Sequence, residues 1–140
     1  MAKENKKVLI ALLLGVCVVL IALSVFLNSS KPIDVKEFDV KFIVDVGGIG
    51  IDVDTSVLTF GQVNPGGGGR RTVVIDNSHD FPVEVKVLVS KNLLGLIDTN
   101  SSFVVDAGKN VSVPVKLNVP QDFELGNYTG KIKFEMYEIG

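Results

Sequence analysis

The sequence predicts an all-β antiparallel sandwich of seven or eight strands preceded by one membrane-spanning α-helix. Three observations carry this. Val8 to Leu27 (VLIALLLGVCVVLIALSVFL) is an uncharged apolar run. Beyond it, apolar and polar residues alternate with a period of two in several short stretches. Between those stretches lie Gly, Pro, Asn and Asp clusters that punctuate strands.

A helix over Val8–Leu27 is roughly 30 Å long, the thickness of a bilayer's hydrocarbon core. It is apolar on every side, which suits lipid rather than one face of a soluble core. Lys3, Lys6 and Lys7 precede it against Glu4, and Lys31 and Lys36 are sparse after it. By the positive-inside rule the amino terminus is cytoplasmic and the remainder lies outside. The expected organisation is therefore a cytoplasmic tail over 1–7, a signal-anchor helix over 8–27, a linker over 28–33 and an extracytoplasmic sandwich over 34–140. Ala22-Leu23-Ser24 also fits a small-x-small cleavage site, but the apolar run continues through Leu27, so an uncleaved anchor is expected. A pilin-type cut before the apolar run needs a small residue that Lys6-Lys7-Val8 does not offer.

Of 14 basic and 16 acidic side chains, three and one precede the apolar run, which leaves 11 against 15 in the rest. This mildly acidic remainder has no basic stripe, so nucleic acid is not an expected partner. Cys17 is the lone cysteine and sits mid-membrane, where it reads as a small apolar residue. The exported domain thus folds without a disulfide, on its core alone.

The strands follow in order. Phe38, Val40, Phe42, Val44 and Val46 alternate with Glu37, Asp39, Lys41 and Asp45. Gly47-Gly48 breaks that strand. Ile49, Ile51 and Val53 alternate with Gly50, Asp52 and Asp54, and Val57–Val63 adds another extended piece. Asn64–Gly69 (NPGGGG) reads as a turn or flexible loop before a strand over Thr72–Ile75. A phosphate-binding loop needs Gly-Lys-Ser/Thr opening a helix, whereas here Arg70-Arg71 opens a strand. Asp76–Asp80 (DNSHD) is the next turn. Val83, Val85, Val87 and Val89 face inward on the following strand. Leu93, Leu94, Leu96 and Ile97 suit a crossover between sheets. Phe103–Val105 is short. Val111, Val113, Val115, Leu117 and Val119 alternate inward, and Pro114, which has no N–H, predicts an edge strand or a bulge there. The last strand runs from Tyr128 to about Glu138.

Two stretches carry a resemblance. Leu58-Thr59-Phe60-Gly61-Gln62-Val63-Asn64-Pro65-Gly66 with Val73-Val74-Ile75-Asp76-Asn77 resembles the opening of immunoglobulin-like domains of bacterial and archaeal cell-surface proteins. Val119-Pro120 with Gly126-Asn127-Tyr128-Thr129-Gly130 and Lys131-Ile132-Lys133 resembles how such domains close. The resemblance covers Val57 to Phe134. It implies an immunoglobulin-like sandwich used for adhesion, spacing or assembly, with no catalytic residues to carry over. Gly126-x-Tyr128 also looks like a tyrosine corner, in which the phenol bonds to nearby backbone.

Site chemistry is sparse. His79, the one histidine, lies in a polar turn beside Asp80, and no serine nucleophile with an orienting acid is evident around it; no enzyme activity and no cofactor are expected. Asp52 with Asp54, and Asp76 with Asn77 and Asp80, offer oxygen atoms of the kind calcium takes. Alternate aspartates on a wet strand face and Asp-Asn in a turn account for the same residues, so no metal is expected. Four stretches match the N-x-S/T glycosylation acceptor pattern: Asn28, Asn100, Asn110 and Asn127. With nine asparagines in the chain, roughly one match arises by chance.

The expected protein is thus anchored in membrane lipid through Val8 to Leu27 and attaches its outer domain to a protein or envelope polymer: a surface layer, a filament or another envelope component. The alternative is an accessory subunit of a membrane secretion or motility complex.

Overall fold

The computed structural model describes residues 2–27, 31–47 and 57–139. The chain divides into two units, Met1–Lys31 and Pro32–Gly140. The first is helix α1, Ala2–Leu27. The expected tail over 1–7 is therefore helical from Ala2 onward, because residues 2–7 hold good helix formers and neither Gly nor Pro. Residues 6–24 are exposed all round. Lys6–Ser24 is long and apolar enough to cross a membrane, and none of it is buried within the protein.

The second unit is a two-sheet sandwich. Its eight strands among the described residues are β1 (Asp34–Val44), β2 (Val57–Val63), β3 (Gly68–Asp76), β4 (Val83–Val89), β5 (Ile97–Asp98), β6 (Ser102–Val105), β7 (Asn110–Asn118) and β8 (Gly126–Glu138). One sheet has the order β2-β1-β8-β4-β6 and the other β3-β7-β5. Alternation decides which side chains meet between the sheets, since successive residues of a strand point to opposite faces. Val40, Phe42 and Val44 of β1, Val83 and Val85 of β4, Val113, Val115 and Leu117 of β7, and Ile132, Phe134 and Met136 of β8 are all buried. Phe38 meets Phe134 edge-on, with ring centroids 5.8 Å apart.

Three expectations are corrected and one lies beyond reach of the described residues. The sandwich is not wholly antiparallel: β1 and β2 run parallel, from Asp39 opposite Val57 to Val44 opposite Val63. Parallel neighbours cannot be joined by a tight hairpin. Val46 does not continue the inward face of β1; it lies past the strand and is 73% exposed. The stretch Ile49–Asp54 lies outside the described residues. Finally, β3 begins at Gly68, four residues before the expected Thr72, so only Asn64–Gly67 is turn.

Glycine explains that early start. Gly66 holds φ +78° in the turn, a conformation that residues with a Cβ avoid. A Cβ on Gly68 would fall against the Leu117 carbonyl of β7, and one on Gly69 would come 2.9 Å from the Phe60 ring. Gly68 and Gly69 are therefore strand, kept bare so that β7 and Phe60 can approach.

Pro114 is opposite Thr72 in the β3–β7 ladder, so β7 is the middle strand of its sheet. Yet β5 spans two residues and reaches only Leu117 and Lys116. Among the described residues no strand lies beside that flank of β7 at Pro114, and the Thr99 hydroxyl donates to the Pro114 carbonyl at 3.0 Å. The edge predicted from the missing N–H exists locally. Leu93, in the short 3₁₀ turn Lys91–Leu93, makes the expected crossover after β4. It is fully buried over Gly130, where a Cβ would collide with it. Leu94, grouped with it by sequence, is 63% exposed.

Candidate functional site

The sandwich has two ends. Ladder registers put the start of β1, the end of β8 and the start of β4 together, with Asp34 opposite Met136 and Val83 opposite Glu138. The end of β6 joins them through Val105 opposite Val83. This is the entry end, where the chain arrives from residue 33.

The turn after β3 lies here and contains the residues considered for catalysis and for calcium. Asn77 is fully buried. Its amide nitrogen donates to the carbonyls of Phe81 (2.8 Å), Val105 (3.1 Å) and Asp106 (3.1 Å). Its amide oxygen accepts from the His79 N–H at 3.1 Å, and its main-chain N–H donates to the Lys109 carbonyl at 2.8 Å. Both amide N–H groups are engaged, and the oxygen, bonded to the turn, is buried with the rest of the side chain. Asp76 and Asp80 on either side are exposed. His79 stacks on Phe81 at 5.0 Å between centroids, and its carbonyl accepts from the Gly108 N–H, so it serves the turn. Among the described residues no group of three His, Cys, Asp or Glu side chains could hold a metal ion. Asp52 and Asp54 lie outside the described residues.

Asn77 is the residue that sequence reasoning missed. An Asn accepting from the N–H two residues on is an ordinary turn device, and that much was legible. Its acceptors at positions 105 and 106 are nearly thirty residues away and left no local trace.

At the other end of the sandwich the Tyr128 hydroxyl donates to the Glu124 carbonyl at 2.9 Å. The ring stacks on Phe42 at 5.3 Å and tilts against Phe123 at 4.9 Å. This is the geometry expected of a corner tyrosine, and its role is to close the segment that leads into β8.

The outward face of the five-stranded sheet is a ladder of charge. Lys131 bridges Glu37 and Asp39, and Lys133 reaches Glu37 at 3.3 Å. The hydrogen bond from Lys131, then that from Lys133, holds the Glu37 carboxyl below the usual carboxylate range. Lys131 is raised in turn, chiefly by Glu37. Beside them the Tyr137 hydroxyl donates to Glu135 at 2.7 Å, which pushes the phenol up, and Lys86 sits 4.6 Å over the Tyr137 ring. These pairs are solvated and satisfy one another.

Three of the four acceptor asparagines can be placed; Asn28 lies outside the described residues. Asn100, Asn110 and Asn127 are all exposed, and so are the hydroxyl residues two positions on: Ser102, Ser112 and Thr129. Asn100 lies between β5 and β6, Asn110 opens β7 and Asn127 is the second residue of β8. The structure does not bring them together. Cys17 is exposed on α1.

Comparison with protein-family models, with curated proteins and with solved structures finds no match to this chain.

Proposed function

We propose that this chain is a single-pass membrane protein whose immunoglobulin-like sandwich lies outside the cytoplasm and binds a protein or polymer of the cell envelope. The observation that carries the reading is α1: within Lys6–Ser24, the residues from Val8 onward are apolar on every side and exposed along their length, a surface that water penalises and lipid accepts.

Strand pairings support the immunoglobulin-like assignment. The order β3-β7-β5 and the β4–β8 pair correspond to the B-E-D and C-F pairings of that sandwich. Strand β1 takes the place beside F that the last strand holds there. It arrives from the amino-terminal end of the chain, and β5 precedes β6 in sequence; these are two departures from the standard order. A binding role draws support from β3. Among the described residues it pairs with β7 alone, and its outward side chains are Arg70, Thr72 and Val74, the last 56% exposed. An extended segment of a partner adds to such an edge by β-augmentation.

The test is topology. Protease added to intact cells stripped of outer layers should digest or release the domain, while carbonate washing leaves the full-length chain in the membrane pellet. A mature chain that begins near Val25 and is found in the medium would replace the anchor by a cleaved signal. Complete protection from external protease would overturn the extracytoplasmic reading. A photo-reactive residue at Val74 should then capture an envelope component. Capture of subunits of a membrane complex instead would favour the accessory-subunit alternative.

A further inference from the structure

We propose that the strand added at the β3 edge is the β3 of a second copy of this chain. The two strands run antiparallel about a two-fold axis at Val73, with Arg70 of each copy opposite Asp76 of the other. This rests on the reading of β3 as an edge open to β-augmentation, and it names the strand that fills it.

The direction of the main-chain groups comes first. Among the described residues β3 pairs with β7 alone, in an unbroken register from Gly68 opposite Asn118 to Asp76 opposite Asn110. Just beyond the two ends of β3, the Asn77 N–H donates to the Lys109 carbonyl and the Val119 N–H to the Gly67 carbonyl, both at 2.8 Å. In an antiparallel ladder, pairs that exchange such bonds alternate with pairs that do not. Odd-numbered residues of β3 therefore bond to β7. Arg70, Thr72, Val74 and Asp76 turn their N–H and C=O groups to the other flank. There the Arg71 guanidinium reaches the Arg70 carbonyl and the Lys36 ammonium reaches the Asp76 carbonyl, each at 3.4 Å. Both are tips of flexible side chains at the long limit of a hydrogen bond. Between them, the main-chain groups of Thr72 and Val74 have no partner among the described residues.

An antiparallel partner must set its own outward-bonding residues opposite these even positions. In a two-fold pairing of β3 with itself, centring on Thr72 puts Arg70 opposite Val74 and Gly68 opposite Asp76. Centring on Val74 puts Arg70 opposite Ser78, past the strand. Centring on Val73 puts Arg70 opposite Asp76 twice and Thr72 opposite Val74 twice. These four side chains are exposed and share the outward face, where opposite charges directly across a ladder attract. Within one chain Arg70 and Asp76 stand six strand residues apart, roughly 20 Å. Among the described residues neither makes an ion pair. Charge on an edge strand guards against indiscriminate pairing. Here the same charges favour one register, and the strand that satisfies it is this sequence running the other way. Such a contact uses the same patch on both copies and closes at two, joining their three-stranded sheets into one.

The test uses the full-length chain in detergent. In an antiparallel pair the two entry ends point in opposite directions, and detergent imposes no common plane on them. Sedimentation velocity compares wild type with Arg70→Glu, Asp76→Arg and the doubly substituted chain, and circular dichroism checks that each keeps its strands. Either single change sets like charges opposite each other at both ends of the pair, so each variant alone should self-associate roughly 10-fold or more weakly than wild type. An equal mixture of the two single variants restores both opposite-charge pairs, and so does the double substitution. Both should regain the wild-type association. A photo-reactive residue at Val74 should cross-link to the strand around Thr72 of a second copy.

A wild-type chain that stays monomeric overturns the inference. So does association of equal strength in all the variants, which would assign the contact to α1, and so does a cross-link from Val74 into its own chain. Capture of a different envelope component at Val74, without self-association, would overturn the second-copy assignment and leave β3 as a binding edge. Protection of the domain from external protease in cells would count against the topology and leave the pairing in detergent standing.

Discussion

The two turns that bound β3 are built in opposite ways. The turn before it, Asn64–Gly67, works by leaving atoms out: Gly66 takes a left-handed φ, and Gly68 and Gly69 let the Leu117 carbonyl and the Phe60 ring come close. The turn after it, Asn77–Pro82, works by putting one side chain in. Asn77 collects three carbonyls from two separate segments, its own turn and the end of β6. Both turns look alike in sequence, as polar or glycine-rich punctuation. The difference teaches that a turn residue is defined by what packs against it. An absent side chain can be as specific as a buried one.

Removal of the buried side chain should have the largest effect. Asn77→Ala removes the two amide N–H groups that the Phe81, Val105 and Asp106 carbonyls share, of which Asp106 keeps the Lys109 N–H; at 1–3 kcal/mol for each buried group left unsatisfied the loss should be about 3 kcal/mol. Chemical denaturation of the domain beginning at Lys31 measures it. A shift comparable to that of an exposed turn substitution such as Asp80→Ala would make the two turns equivalent. Next comes the opposite change. Gly68→Ala adds one methyl group against backbone that cannot swing aside, so strand β3 must separate from β7, at about 2 kcal/mol. Gly47→Ala, where a Cβ meets nothing within 4 Å but φ is +106°, separates the cost of conformation from the cost of space. If the two variants lose equal stability, close approach is not what the glycines serve.

A third turn sharpens the contrast, because it too is closed by one polar side chain. Tyr128→Phe keeps the stacking on Phe42 and Phe123 and deletes only the bond to the Glu124 carbonyl. The loss should be about 1 kcal/mol. It is smaller than at Asn77 because one acceptor is involved, and that acceptor belongs to an exposed residue. An unchanged midpoint would remove the corner role.

The smallest effect is expected on the charged face, away from all three turns. Glu37 is held below its ordinary value by Lys131 and Lys133. A depressed carboxyl contributes stability that is present above its unfolded value, near 4.5, and lost as pH falls through the lower folded value. Wild type should therefore exceed Glu37→Gln slightly at neutral pH and low salt. The gap should close in acid and also in about 1 M salt. A gap that persists at low pH would assign it to packing rather than to charge.

How much was legible follows from the range of each interaction. Period two placed Val40, Phe42 and Val44 inward because one buried face imposes alternation on a strand whatever its neighbour. Pro114 announced a missing ladder bond because it has no N–H to give. Tyr128 announced its bond because the acceptor is four residues upstream. The acceptor asparagines were legible as a pattern because that pattern is three residues long. Gly68 and Asn77 were read as loop and turn, for their partners lie about fifty and thirty residues away.

The sequence by itself determined the apolar helix, the two-faced strands and most of their limits, because these depend on residues within a few positions of one another. Tertiary structure alone decided the parallel neighbour of β1, the sheet to which each strand belongs, the bare surface that the glycines provide and the hub at Asn77. Each of those rests on contact between segments far apart in the chain, and period, propensity and turn chemistry carry no information about which distant segment will arrive.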